Sequence, residues 1–419
     1  MSDEAASMEQ VELKAVARRR LAYSALALTT SVVVLLFLVT SSGDHLRGIV
    51  GRTTTNLAKT SSSSSSSVTI KSLESSSTRV YYDSLKSSEK KSLFDDFKTQ
   101  YAKSYETDDE EATRYKNFKK FLKLIDSRND AESEKDNTAV HGVTQFADLS
   151  ETEVKKYLLG YKASSSSSRK LKLKSAVAKV PKYTGSATTV DWAGVYTTSV
   201  SDQGYCGSCW AYSATEQLES DSIRLGYLTT DDKLSVQQLV SCDTVDLGCL
   251  GGNTETAYSY IEDAGGVALS SKYPYTSYFD ITGTCTLTSS TSLAVTLTKY
   301  YTLTSEDDMQ DYVLATGPLS ICAAASSWTS YKSGVVSSCD TDVDHCVQLT
   351  GVNTDSGYWI VRNSWGASVR PSCLLASFSS GFPLLTSPPS SPPFPALRHV
   401  GGLLWLHLPQ DGRGHLQNY

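Results

Sequence analysis

Residues 202–213 read DQGYCGSCWAYS, in which two cysteines stand three positions apart and a tryptophan follows the second. Three kinds of site contain such a pair: a thiol-disulfide redox couple, half of a zinc site, or a nucleophilic cysteine beside a structural disulfide. Each of them implies a different function for the chain.

The cysteines and the N-terminal segment indicate the redox compartment. All nine cysteines follow Tyr205, and residues 21–40 form an uncharged apolar run long enough to cross a membrane once, with three arginines directly before it. The positive-inside rule predicts residues 1–20 in the cytoplasm and everything after residue 40 in the lumen or exterior. A cleaved signal peptide is the alternative. Both interpretations place the cysteines where disulfides persist.

Composition excludes one class of function. The 419 residues are 40% hydrophobic, which is sufficient for a buried core, and the net charge is -6 with a pI near 5.6. The lysines and arginines form no stripe or patch, so we do not expect a nucleic-acid-binding protein.

Serine-rich segments divide the chain. Seven consecutive serines lie within a polar linker at 41–79, and a second serine run precedes the basic stretch RKLKLK at 169–174. Such segments cannot bury a core. They bracket a block at 80–162 whose sequence predicts an amphipathic helix, because apolar residues recur at steps of three and four: Tyr115, Phe118, Leu122 and Ile125.

The pattern after Cys209 favours the nucleophile over the other two interpretations. Three residues that follow it lie one helical turn apart, Trp210, Ala214 and Leu218, and Gly226 can end the helix. A thiol at a helix N-terminus meets unpaired N–H groups, which predicts a lowered pKa. A redox couple does not fit an exported chain without a βαβ pattern, and a zinc site needs a second ligand pair. No metal or cofactor is expected.

Two stretches of the first block resemble the inhibitory prodomains of papain and cathepsin proteases. The helical signature is matched at Glu110, Arg114, Phe118, Ile125 and Asn129, with Phe121 where asparagine is usual. The stretch GVTQFAD is similar to the second signature, which it matches at Gly142, Phe146 and Asp148, with Thr144 in place of asparagine. The resemblance implies a prodomain at 80–162 that runs backwards through the protease cleft.

The second block resembles the papain family itself. CGSCW is followed by His345 after 136 residues and by Asn363 after 154, which is the spacing of that family. The resemblance covers about 93–149 and 180–368. It implies an α+β fold with a helical lobe led by the Cys209 helix, an antiparallel β-barrel lobe that carries His345 and Asn363, and a cleft between them.

The resemblance also implies roles for single residues. Cys209 would be the nucleophile and His345 its proton partner, while Asn363 would orient the imidazole. Gln203 would join the backbone N–H of Cys209 in an oxyanion hole, and Trp365 would shield the bond between His345 and Asn363. Substrate-binding residues are expected at Gly251, Gly252, Asn253, Val343 and Trp365.

The same resemblance implies which cysteines pair. Cys206 would bond to Cys249, and Cys242 to Cys285, which makes the opening pair a disulfide cysteine beside a nucleophile. Cys322 and Cys346 stand where the family carries small or aliphatic residues, so we expect them to be buried free cysteines. The usual partner of Cys339 is absent unless Cys373 replaces it.

The tail after Ser368 departs from the family. Eight of the eleven prolines lie in 369–419, and proline lacks the N–H that a sheet interior needs. We therefore expect the barrel to lack its terminal strands. One hypothesis is translation through a retained intron from Val369, and the alternative is a tail specific to this lineage.

These observations predict a zymogen of a papain-like cysteine endopeptidase, a monomer that acts on protein or peptide substrates. We expect acid-weakened prodomain contacts, cleavage within the activation linker at 163–179 or up to residue 181, and a lysosomal, vacuolar or extracellular site. Two rivals remain open: a catalytically impaired homologue that only binds partners, and a thiol-disulfide exchanger that uses Cys206 and Cys209.

Overall fold

A computed structural model describes most of the chain after residue 67: residues 68–74, 79–134, 138–163, 176–177, 180–303, 305–337, 341–367, 372–376 and 403–407. The predicted cytoplasmic segment 1–20 and the apolar segment 21–40 lie outside these ranges. Within them, no helix is both long and apolar enough to cross a membrane.

The N-terminal block is helical and has its own core. Its helices are α1 (Ile70–Glu74), α2 (Ser87–Gln100), α3 (Asp108–Ser133) and α4 (Glu151–Tyr157). The amphipathic helix predicted from the sequence is confirmed as α3, which begins where the Thr107 side chain accepts a hydrogen bond from the Glu110 backbone N–H. On its apolar face Phe118, Leu122 and Ile125 are fully buried, and the ring of Phe118 lies 5.2 Å from that of Phe94 in α2.

The helical part of the second block is led by α5 (Cys209–Arg224). It is followed by α6 (Val236–Cys242), α7 (Thr254–Asp263) and α8 (Glu306–Ala315). Helix α5 is buried from Cys209 to Ser222, so polar side chains on it must find partners inside the protein. Gly226 adopts a φ of +78° directly after its C-cap, Leu225, as a helix-terminating glycine does.

A nine-stranded sheet forms the other part, and the fold class is therefore α+β. Its strands are β2 (Ala176–Val177), β3 (Thr189–Asp191), β4 (Lys299–Leu303), β5 (Leu319–Ala323), β7 (Val335–Val336), β8 (His345–Asn353), β9 (Tyr358–Arg362), β10 (Ser372–Ala376) and β11 (Leu403–His407). Strand β8 pairs antiparallel with β3, β5 and β9. Because β8 begins at His345 and β9 ends one residue before Asn363, the antiparallel pair brings these two residues to the same end of the sheet.

A second, two-stranded sheet joins the two blocks. Strand β1 (Val140–His141) of the N-terminal block pairs antiparallel with β6 (Tyr331–Ser333) of the second block. The backbone N–H of Gly142 extends this contact by donating to the carbonyl of Ser330 at 2.8 Å.

The tail contributes two strands, which corrects the expectation that the barrel lacks strands after Ser368. Strand β10 pairs with β7 and β9, and β11 lies between β4 and β5. Both segments are free of proline, because the eight prolines of the tail stand before, between or after them. They can therefore supply the N–H groups that a sheet requires.

Three disulfides lie within the described residues. Cys206 is bonded to Cys249 and Cys242 to Cys285, the pairs that the family resemblance implied. The expectation of free cysteines at positions 322 and 346 is wrong, because these two residues are bonded to each other. The register of β5 against β8 sets them directly opposite on neighbouring strands. Cys339 and the side chain of Cys373 lie outside the described residues.

Candidate active site

Cys209 is the first residue of α5 and is completely buried. Among the described cysteines it alone is free. Burial raises the pKa of its thiol to about 11, although three backbone amides that lie against the sulfur, those of Cys346, Gly160 and Trp210, oppose this effect. The lowered pKa expected from the helix N-terminus is therefore not found in this state, because loss of solvent outweighs the amides.

His345 and Asn363 meet beside this thiol. The imidazole Nε2 lies 2.8 Å from Asn363 Oδ1, and the amide of the next residue, Cys346, lies against the sulfur of Cys209. Burial lowers the pKa of His345 to about 4, and contacts with Asn363 and the carbonyl of Leu158 oppose that shift. Both the thiol and the imidazole are thus held in their neutral forms.

Gln203 lies in the same site, with its side chain fully buried. Its Oε1 accepts a hydrogen bond from Ser364 Oγ at 2.7 Å, which fixes the orientation of the amide. Its Nε2 faces three carbonyl oxygens: those of Tyr157 and Leu158 at 3.2 Å, and that of Cys206 at 3.0 Å. Two of these carbonyls belong to the N-terminal block, so that block already occupies the amide donor of Gln203.

Trp365 covers the histidine. Its ring centroid lies 4.9 Å from that of His345, and the ring is 1% exposed. On another side it meets Phe146 of the N-terminal block edge to face at 5.3 Å. Gln145 Nε2 donates to the Trp365 carbonyl at 3.1 Å. The indole therefore contacts both the imidazole and the prodomain-like block.

The segment 157–162 of the N-terminal block runs past Gly252 as a short parallel bridge centred on Tyr161. Gly252 N–H donates to the Gly160 carbonyl, and the Lys162 N–H donates to the Gly252 carbonyl, both at 2.8 Å. From the other lobe, the Asp344 carbonyl accepts from the Tyr161 N–H at 3.0 Å. We call residues 157–162 the cleft strand, because its backbone is bonded to both lobes.

Glycines make this close approach possible. A Cβ on Gly160 would lie 2.0 Å from the carbonyl oxygen of Gly207, which is backbone and cannot move aside cheaply. A Cβ on Gly251, whose φ is +113°, would lie 2.4 Å from the carbonyl oxygen of Gly160. The cleft therefore accepts an extended backbone only where both chains lack a side chain.

The remaining expected substrate-binding residues are less directly placed. Asn253 caps α7, with its Oδ1 accepting from the Glu255 N–H at 2.8 Å. Val343 is half-buried and precedes Asp344, which bonds to the cleft strand. The structure thus brings Cys209, His345, Asn363 and Gln203 together, and it places Gly251 and Gly252 along the same cleft.

A buried polar network behind Asn363 was missed by the sequence analysis. Arg362 donates to Gln348 Oε1 at 2.9 Å and to Thr198 Oγ1 at 3.0 Å, and it lies 3.5 Å from Glu216 Oε1. Burial raises the pKa of Glu216 to about 7, while the charge of Arg362 lowers it. The available signals were Arg362, a charged residue that directly follows the apolar run YWIV, and Gln348 in the middle of β8. Gly160 was missed as well, although a lone glycine between bulky residues in LLGYK is visible in the sequence.

Comparisons with known proteins agree with this geometry. Residues 186–372 match the sequence model of the papain family cysteine proteases, and residues 94–154 match that of the cathepsin propeptide inhibitor domain (I29). The chain is 32% identical over 279 residues to a viral cathepsin of Cydia pomonella granulosis virus (isolate Mexico/1963), with 64% of this chain and 80% of the relative covered. It is 34% identical over 297 residues to cysteine proteinase 15A of Pisum sativum, with 64% and 76% covered.

The chain is also similar to the solved structure of a procathepsin. Digestive procathepsin L2 proteinase from the Tenebrio molitor larval midgut superimposes with a TM-score of 0.60 at 28% identity, and the match covers 68% of this chain and 93% of that one. The chain belongs to the papain family of cysteine proteases and carries the cathepsin-type propeptide inhibitor domain.

Proposed function

We propose that this cysteine protease zymogen is an endopeptidase precursor whose catalytic residues are Cys209, His345 and Asn363, with Gln203 in the oxyanion hole. The observation that carries the proposal is the cleft strand. Its Leu158 carbonyl accepts a hydrogen bond from the Gln203 side-chain amide and lies beside the His345 imidazole. The backbone N–H of Gly160 contacts the Cys209 sulfur. A segment of the chain's own propeptide thus occupies the position that a substrate needs.

Release of the cleft strand would change the protonation of the site. Water then reaches Cys209, so the desolvation that raises the pKa of its thiol is reduced. The amides of Trp210 and Cys346, which lower that pKa, remain in place. The Asn363 Oδ1 accepts from Nε2–H of His345, which leaves Nδ1 as the proton acceptor. Nδ1 is buried, and the Leu158 carbonyl of the cleft strand lies beside the imidazole until that strand leaves. The proton of the Cys209 thiol passes to Nδ1.

The thiolate then attacks the carbonyl carbon of a peptide bond. The oxyanion that forms accepts hydrogen bonds from the Gln203 side-chain amide and the Cys209 N–H. His345 gives its proton to the leaving amine, and the acyl group stays on sulfur as a thioester. Water, deprotonated by His345, hydrolyses that thioester and frees Cys209.

Two observations support an enzyme over the rival functions. Despite the unusual tail, β10 pairs with β9 and β11 pairs with β5, which are two of the strands that flank β8, and this favours an intact site over an impaired homologue. Cys206 is bonded to Cys249, so it is not available as the second thiol of a redox pair with Cys209. We further infer delivery through the apolar segment 21–40 to a lysosomal, vacuolar or extracellular space, and activation by cleavage within about 163–181.

The test is peptide hydrolysis by acid-activated protein, compared with Cys209→Ala. We expect the variant to lose at least about a thousandfold in kcat/KM, because the alanine cannot form a thioester. Thermal unfolding of both proteins controls for folding. Equal and negligible rates in two well-folded proteins would contradict the proposed activity.

His141 gives acid activation a physical basis. Its ring is buried at the contact between propeptide and protease, and its Nδ1 lies 2.9 Å from Ser330 Oγ. Arg128 Nη1 also donates to this hydroxyl at 2.7 Å, so a protonated His141 would place a second cation around one buried oxygen. Burial, followed by the charge of Arg128, lowers the pKa of His141 to about 4.

The sign of this pKa shift predicts release in acid. A folded-state pKa below the ordinary 6.5 means that the contact is fully present above pH 6.5 and is lost as pH falls toward 4, by up to tenfold in affinity per pH unit. We expect His141→Gln, which stays neutral, to lower the pH at which the zymogen is half activated. Gln145→Ala, which removes an untitratable contact, should raise it. An unchanged midpoint in His141→Gln would exclude His141 as the acid sensor.

Gly160 gives a separate test of latency. In Gly160→Ala the new Cβ meets the Gly207 backbone at 2.0 Å, so the cleft strand cannot seat as it does here. We expect the zymogen to show at least about tenfold higher activity at neutral pH, measured before any processing, since a lost fit of this kind costs more than 1.4 kcal/mol. Lys162→Ala, at an exposed side chain of the same strand, is the matched control. Latency equal to the unchanged zymogen would show that the strand does not block the site.

A further inference from the structure

Tyr161 of the cleft strand marks a side-chain pocket beside the nucleophile. Gly160 lies at Cys209, and Tyr161 is the next residue along the cleft, opposite Gly252. A substrate that runs in the opposite direction would place its scissile residue, P1, at Cys209 and the preceding residue, P2, opposite Gly252. The side chain of Tyr161 therefore stands in for a P2 side chain, and its surroundings describe what P2 would meet.

Glu255 is the charged residue that acts on this position. It lies in the first turn of α7, three residues after Gly252, and its side chain is half-buried. Burial, and then the negative charge of Glu255, raise the pKa of the Tyr161 hydroxyl. The carboxylate thus lies close enough to the side chain at the P2 position to act on it through its charge.

No residue in the described part of the chain neutralises this carboxylate. Burial alone raises the pKa of Glu255, and no cation or hydrogen-bond donor of the described residues opposes that shift. The other group that senses its charge is the hydroxyl of Tyr300 on β4, which is neutral. A half-buried carboxylate without a counter-charge favours a ligand that brings one.

We propose that Glu255 makes this protease select substrates with a cationic side chain, arginine or lysine, at P2. The inference rests on the proposed function, because it requires a substrate in the cleft. Its alternative is a structural role for Glu255, in which an acidic residue in the first turn only stabilises α7 through the helix dipole. Such a role would alter stability and leave the choice of substrate unchanged.

The experiment compares two peptide amides that differ only at P2, one with arginine and one with citrulline, which has nearly the same shape and no charge. For the acid-activated enzyme we expect kcat/KM to favour arginine at least about tenfold. In Glu255→Gln the ratio should approach one. Glu262→Gln, an exposed position on the same helix, is the matched control and should leave the ratio unchanged.

The pH dependence of this ratio gives a test that needs no variant. Because both substrates use the same Cys209 and His345, the titration of those residues cancels in the ratio. Glu255 is charged only above its raised pKa, so the arginine preference should grow as pH rises and approach one in acid.

The outcomes separate the two proposals. Hydrolysis that requires Cys209 but shows a ratio near one in the unchanged enzyme, or a ratio that Glu255→Gln does not alter, overturns the role of Glu255 alone. Hydrolysis that does not require Cys209, or no hydrolysis of any peptide, overturns the proposed function and this inference with it.

Discussion

The close backbone contact between Gly160 and Gly207 is the constraint on which the latent state depends. A Cβ at position 160 would overlap the Gly207 carbonyl, so only glycine lets the cleft strand approach Cys209. That approach excludes water from the thiol and from His345, and it lets the Leu158 carbonyl accept a hydrogen bond from the Gln203 side chain. One short segment therefore occupies the cleft and keeps the thiol and imidazole neutral.

Burial of titratable groups links latency to activation. Burial opposes charge on any group, so a propeptide that buries titratable residues binds best when they are neutral. Cys209 and His345 are neutral under the cleft strand, and His141 is neutral at the contact with Ser330. Protonation of the histidines in acid favours the open form, which solvates them. The contact that closes the cleft at neutral pH is therefore weakened in acid, where we propose that the enzyme works.

Much of this account could be predicted from local patterns. The periodicity around Phe118 predicted α3, and the family spacing implied that Cys209, His345 and Asn363 belong together. The bond between Cys322 and Cys346 could not be predicted, because it depends on the register of β5 against β8. Nor could the strands of the tail, because their pairing depends on distant partners. The raised pKa of Cys209 in the covered state was not predicted, because the helix N-terminus is visible in the sequence and the covering strand is not.

The central claim is that the propeptide holds Cys209 buried and protonated, and the rate of alkylation of this thiol tests it directly. The zymogen and the acid-activated enzyme would each be treated with iodoacetamide at pH 7, and labelling at Cys209 followed by peptide mass spectrometry. The account predicts that the zymogen reacts at least about a hundredfold more slowly, because iodoacetamide needs an accessible thiolate. Comparable rates in the two forms would contradict it.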